Sequence, residues 1–154
     1  MKAIVLNEQE DLSIDKHQVE PIVRFVLEQE ACSTDELSIY FVSEEKICQL
    51  HDRFFNDPSP TDCISFPMDG GRRVNGYHIL GELFICPKVA IDYLAETPEI
   101  THNCYTELTL YLVHGVLHLL GYQDKQKEEQ EKMYATQTRY FNELVRKRLL
   151  LIAD

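Results

Sequence analysis

The chain is predicted to be an α/β (α+β) protein with a small mixed β-sheet of about four strands flanked by helices. Three observations point there. Apolar runs of strand length alternate with segments of helical spacing along the chain. Gly, Pro and Asn/Asp clusters separate them. The length of 154 residues suits one hydrophobic core, so residues 1–154 are expected to form a single domain.

The elements follow in order. Met1 to Asn7 reads as a first strand, with Ile4, Val5 and Leu6 at its centre. Val19 to Leu27 has helical periodicity, because Val19, Ile22, Val23, Val26 and Leu27 share one face. Leu37 to Val42 is rich in β-branched and aromatic residues and predicts a second strand. Ser43 is a good N-cap for a helix with Glu44 and Glu45 in its first turn. That helix is expected to turn Ile47, Leu50 and Phe54 inward. Asn56 to Pro60 holds two prolines and reads as a loop. Cys63 to Met68 and Tyr77 to Cys86 read as strands around an Asp69-Gly70-Gly71 turn. Pro87 suits the first position of a helix. Leu108 to Leu120 predicts a strongly apolar helix stopping at Gly121, and Gln126 to Arg148 a last helix with a charged outer face.

The formal net charge of -11 disfavours simple adhesion to nucleic acid, which needs clustered Lys and Arg. It leaves RNA chemistry open, because a bound metal is a strong local positive charge. Five cysteines, odd in number and without a Cys-x-x-Cys pair, suggest reduced thiols rather than a disulfide framework or a four-cysteine zinc site. No apolar run is long enough to cross a bilayer, and the N-terminus has no hydrophobic region followed by a small-residue cleavage site. A soluble, intracellular protein is therefore expected.

The chemistry is concentrated in residues 112–124, LVHGVLHLLGYQD. His114 and His118 are four positions apart and stack on one helical face, so both rings can hold one metal ion. Gly121 can end the helix and turn the chain back, bringing Asp124 towards the same ion. Three protein ligands leave a fourth position for water, whose pKa zinc lowers to about 7. One divalent ion, with zinc as the first expectation, is therefore predicted on His114, His118 and Asp124. The pattern departs from that of the zinc proteases, where a Glu general base follows the first His. Here that position is Gly115, which cannot move a proton.

These residues resemble the signature of the YbeY family. The run His114 to Tyr122 (HGVLHLLGY) matches it, and two further segments agree. Pro60 to Pro67 (PTDCISFP) is similar to the family's PTDVLSFP segment, and Leu80 to Ile85 (LGELFI) to its LGDIxI strand. The resemblance implies a metal-dependent endoribonuclease acting on single-stranded RNA. It further implies roles in ribosomal RNA maturation, at the 3′ end of the small-subunit RNA, and in ribosome quality control. The implied partners are ribosomal RNA, a small-subunit ribosomal protein and a ribosome-assembly GTPase, with no membrane, in the bacterial cytoplasm.

Two positions depart from the family. Its third ligand is usually His, where this chain has Asp124. The Arg it places seven residues before the aspartate corresponds to Phe55 here, counting back from Asp62. Phe55 cannot hold a phosphate, although it can stack on a base. Arg72 and Arg73, or Arg53, are candidates for the missing charge, so Arg72, Arg73 and Phe55 are the expected substrate contacts. Asp62 and Glu82 are the acids nearest the matched segments, and the general base is left unassigned. Two rival readings remain: a metal-binding assembly factor that cuts no RNA, and a metallohydrolase acting on peptides.

Overall fold

A computed structural model describes residues 1–154. Strands β1 (Lys2–Glu8), β2 (Glu36–Val42), β3 (Cys63–Pro67) and β4 (Ile79–Ile85) form one sheet in the order β1-β2-β4-β3. β1, β2 and β4 run parallel, and β3 pairs antiparallel with β4 at one edge. An edge suits β3, which ends at Pro67, because proline cannot donate to a second neighbour. Helices α1 (Val19–Gln29), α2 (Glu44–Phe55), α3 (Pro87–Glu96), α4 (Cys104–Leu119) and α5 (Lys127–Arg146) complete the chain.

The sheet divides two apolar clusters. Leu37, Ile39 and Phe41 of β2 and Leu83 and Ile85 of β4 face the main core, which α1, α4 and α5 supply from the helical side. On the other face a smaller cluster of Val42, Ile47, Ile64 and Cys86 lies beneath α2. Strand residues alternate between the faces, so one strand feeds both clusters. α4 is apolar nearly all round and packs against α1, α3, α5, β3 and β4. That is the expected place for a helix whose polar face is so narrow.

The predicted elements are all present, with shifted bounds. α4 starts at Cys104 rather than Leu108, because Asn103 Oδ1 accepts from Thr106 N at 3.0 Å and caps it there. The fourth strand is shorter than Tyr77 to Cys86; Tyr77 instead forms an isolated bridge with Val74. α2 begins as expected, with Ser43 Oγ accepting from Lys46 N at 3.2 Å. Its inward face is corrected: Ile47 is buried, but Phe54 is 51% exposed. The Phe54 ring leans against Phe66 of β3, 4.9 Å between centroids, at the rim of the sheet instead of in the core.

Two glycines allow close approach, one to a backbone and one to a side chain. A Cβ on Gly81 would lie 2.3 Å from the Phe66 carbonyl oxygen, and the β2–β4 register shifts beside it. A Cβ on Gly115 would lie 2.3 Å from Leu83 Cδ1, so α4 lies directly on β4 at the turn that carries the histidines.

Candidate metal centre

The site is made where α4 ends. His114 and His118 project from its last two turns on one face, their ring centroids 4.5 Å apart. Past Leu119 the Gly121 N–H donates to His118 O, and the Tyr122 N–H donates to Leu117 O, each at 3.0 Å. Gly121 takes φ +101°, a conformation open to glycine and strained for other residues. This reversal returns the chain so that Asp124 Oδ2 stands 3.2 Å from His118 Nε2 and 3.8 Å from His114 Nε2. The two Nε2 atoms are 3.0 Å apart. Sequence and structure therefore agree on which three side chains meet.

The outer ring nitrogens decide what these atoms can do. His118 Nδ1 lies 2.9 Å from the Tyr122 carbonyl oxygen, and His114 Nδ1 lies 2.8 Å from Gln137 Oε1 on α5. Both partners are oxygens that accept, so each Nδ1 donates and each Nε2 keeps a lone pair. Two lone pairs and a carboxylate oxygen then converge with no donor among them. All three lie within 4.8 Å of one another. A cation relieves that arrangement, and tetrahedral ligands at about 2.1 Å from zinc sit about 3.4 Å apart. The donor set therefore fits a divalent metal, with both imidazoles oriented by outer partners as metal-ligating histidines usually are.

The three side chains open onto a cleft of about 400 Å³. Its other walls include His51 and Phe55 from α2, Thr61 and Asp62 from the loop before β3, Ser65 of β3, and Lys125. Ser65 Oγ donates to Gly115 O at 3.0 Å and ties this edge strand to α4. Asp62 Oδ1 accepts from Cys63 N at 2.7 Å. Burial, with the Asp62 and Asp124 carboxylates, pushes the Cys63 thiol pKa up, so Cys63 keeps its proton. His51 Nδ1 pairs with Ser59 O at 2.7 Å, fastening α2 to the loop that leads into β3.

Phe55 lies in the cleft wall and is 57% exposed. The arginines are placed elsewhere. Arg73 donates to Asp35 Oδ2 at 2.6 Å and lines an adjoining groove that meets the cleft at Pro67, His118 and Gln123. Arg72 is exposed in the turn between β3 and β4, its N–H on Asp69 O at 3.0 Å, and Arg53 lies over the Phe54 ring. The Lys or Arg lining the cleft itself is Lys125. Asp62 is in the cleft, whereas Glu82 on β4 shares the other sheet face with Phe84. Ser65 falls within the PTDCISFP segment and Lys125 directly follows Asp124, whereas His51 and Gln137 carry no local motif and are revealed only by the packing of distant elements.

The family model described as Endoribonuclease YbeY matches residues 4–145. The chain belongs to the YbeY family. Among its relatives, Endoribonuclease YbeY of Protochlamydia amoebophila is 44% identical over 90% of this chain and 89% of that protein. The Chlamydia pneumoniae protein of the same name is 39% identical over 99% of this chain and 97% of its own length. The solution structure of a Thermotoga maritima protein matches 96% of this chain and 92% of that one, with a TM-score of 0.63 and 23% identity, and shares the fold. YbeY proteins are RNA-cleaving hydrolases by name, which makes this chain a member of an enzyme family.

Proposed function

We propose that the chain is a metal-dependent endoribonuclease that cuts single-stranded RNA. It would act in ribosomal RNA maturation, at the 3′ end of the small-subunit RNA, and in ribosome quality control in the bacterial cytoplasm. The observation that carries this reading is the convergence of His114 Nε2, His118 Nε2 and Asp124 Oδ2 at the floor of an open cleft.

His114, His118 and Asp124 would hold one divalent ion, with zinc as the first expectation. When bound, such an ion supplies positive charge where a phosphodiester accumulates negative charge during cleavage. The chain's own groups do the rest. The exposed Phe55 ring offers a face on which a base can stack. Lys125 brings a point charge for a neighbouring phosphate. A cleft of about 400 Å³ has room for an unstacked nucleotide, in keeping with a single-stranded substrate. A small-subunit ribosomal protein and a ribosome-assembly GTPase are the proposed protein partners.

The test begins with elemental analysis of untagged protein purified without chelators. About one zinc or other divalent ion per chain is expected, and His118→Ala should lose it. The loaded protein should then cut a labelled single-stranded RNA and spare the same sequence in a duplex. A wild-type chain without metal, or one cutting RNA equally well after His118→Ala, defeats the reading.

Phe55 and Asp124, standing where the family usually has Arg and His, favour one rival: a metal-binding assembly factor without nuclease activity. It predicts full metal content with intact RNA. Peptide hydrolysis is disfavoured, because Gly115 lies against Leu83 where a protease needs its Glu.

A further inference from the structure

We infer that Gln137 is a positioning residue that selects the tautomer of His114 and so turns its Nε2 lone pair towards the metal. The inference rests on the metal reading proposed above and extends it to a residue on another helix.

The two histidines are held in different ways. His118 Nδ1 faces the Tyr122 main-chain carbonyl at 2.9 Å. A carbonyl oxygen only accepts, so the His118 tautomer is set by the backbone of the turn. His114 lies a full turn earlier and has a side chain, not the main chain, as its outer partner. Its Nδ1 meets the side-chain amide of Gln137, 2.8 Å away and 23 positions along the chain.

An amide can present either of two faces. With Oε1 forward, as here, His114 Nδ1 carries the proton and Nε2 is free to ligate. With the NH2 forward, Nδ1 would accept and Nε2 would carry the proton. An N–H would then point at the position between His118 Nε2 and Asp124 Oδ2, and a cation would be repelled. Gln137 is half-buried on α5, beside the buried Met133, Thr136 and Tyr140. The docking of α5 on α4 therefore reaches the metal through one hydrogen bond. Gln137 is not among the residues that line the cleft, so it acts through His114 and not on RNA.

Two readouts test this. The first is the tautomer of each imidazole in metal-free protein, from long-range 1H–15N spectra at about pH 8.5, well above the ordinary histidine pKa of about 6.5. His114 should carry its proton on Nδ1 in the wild type. Gln137→Leu should move that proton towards Nε2 and leave His118 unchanged. A His114 ring already protonated on Nε2, or one that does not respond to Gln137→Leu, overturns the inference.

The second readout is zinc affinity, by competition with a chromophoric chelator. Gln137→Leu should weaken zinc by about 10- to 100-fold, the usual cost of losing an outer partner. Gln137→Glu, whose carboxylate only accepts, should recover affinity to within several-fold of wild type. Equal affinity in all three proteins overturns the inference, as does a Glu variant no better than Leu. The tautomer spectra need no metal. A wild type that holds no zinc therefore defeats the metal reading, while the role of Gln137 is still decided by the spectra.

Discussion

Asp124 sets the character of the site more than either histidine. Its side chain is 47% exposed, and it adds a full negative charge to two neutral rings. A carboxylate is a harder ligand than imidazole, so this trio should tolerate manganese or magnesium better than a three-histidine site would. Asp124→Ala should weaken zinc by more than about 100-fold, beyond the range typical of outer-shell losses. Asp124→His should restore zinc and narrow the choice of metal; chelator competition with zinc and manganese measures both. At this scale the sequence was informative because the three converging side chains lie within residues 114–124. One helical turn and one glycine fix their mutual positions. Gln137 and His51 were not legible, because nothing local distinguishes them from ordinary polar positions. Only the packing of α5 on α4, and of α2 against the loop into β3, brings them near the site.

The helices divide the work between their two ends. α4 is anchored at its start by Asn103 and presents His114 and His118 near its finish. Asn103→Ala should cost about 1 kcal/mol in urea unfolding, the usual value of an N-cap. Zinc affinity should be unchanged, because the cap is about 16 Å or more from the histidines at 1.5 Å per residue. Gly121→Ala should differ in kind. It strains a left-handed turn and displaces Asp124, so both stability and zinc affinity should fall. A Gly121→Ala protein that bound zinc normally would show that the turn does not place the ligand. Element types were readable from periodicity, while starts and faces were not. The start of α4 depends on the Asn103 cap, ahead of the apolar run that announced the helix. Phe54 has the spacing of a core residue, yet it ends up at the sheet rim because α2 covers the sheet only partly. For α3 the sequence offered little beyond Pro87 at its first position.

The molecule as a whole carries a net charge of -11, and its cleft is lined by Lys125 as the Lys or Arg contributor. RNA should consequently bind with a shallow salt dependence. Each phosphate neutralised on a single strand contributes a slope of about 0.7, so a log–log slope below about 2 is expected. A steep slope in a filter-binding titration would point to a basic surface beyond the cleft. Metal removal should also be felt globally. An ion on His114, His118 and Asp124 would join α4 to the chain beyond its end, and Gln137 would add α5. Saturation at 100 times Kd stabilises the folded state by about 2.7 kcal/mol, or about 5–10 °C in Tm for a chain of this size. Calorimetry with and without chelator measures it, and an unchanged Tm would mean that the folded protein takes up no ion. Strand order and the antiparallel placement of β3 lay outside what composition and periodicity could tell, because sheet pairing is settled by contacts between distant segments.

The contact between Gly115 and Leu83 has a historical implication. A lineage exploring this scaffold could not simply acquire the glutamate that turns a His-x-x-x-His helix towards peptide bonds. The new Cβ would stand 2.3 Å from the Leu83 side chain beneath it, which would have to shift to make room. Packing therefore couples the two positions: a change of chemistry at residue 115 carries with it a rearrangement at residue 83.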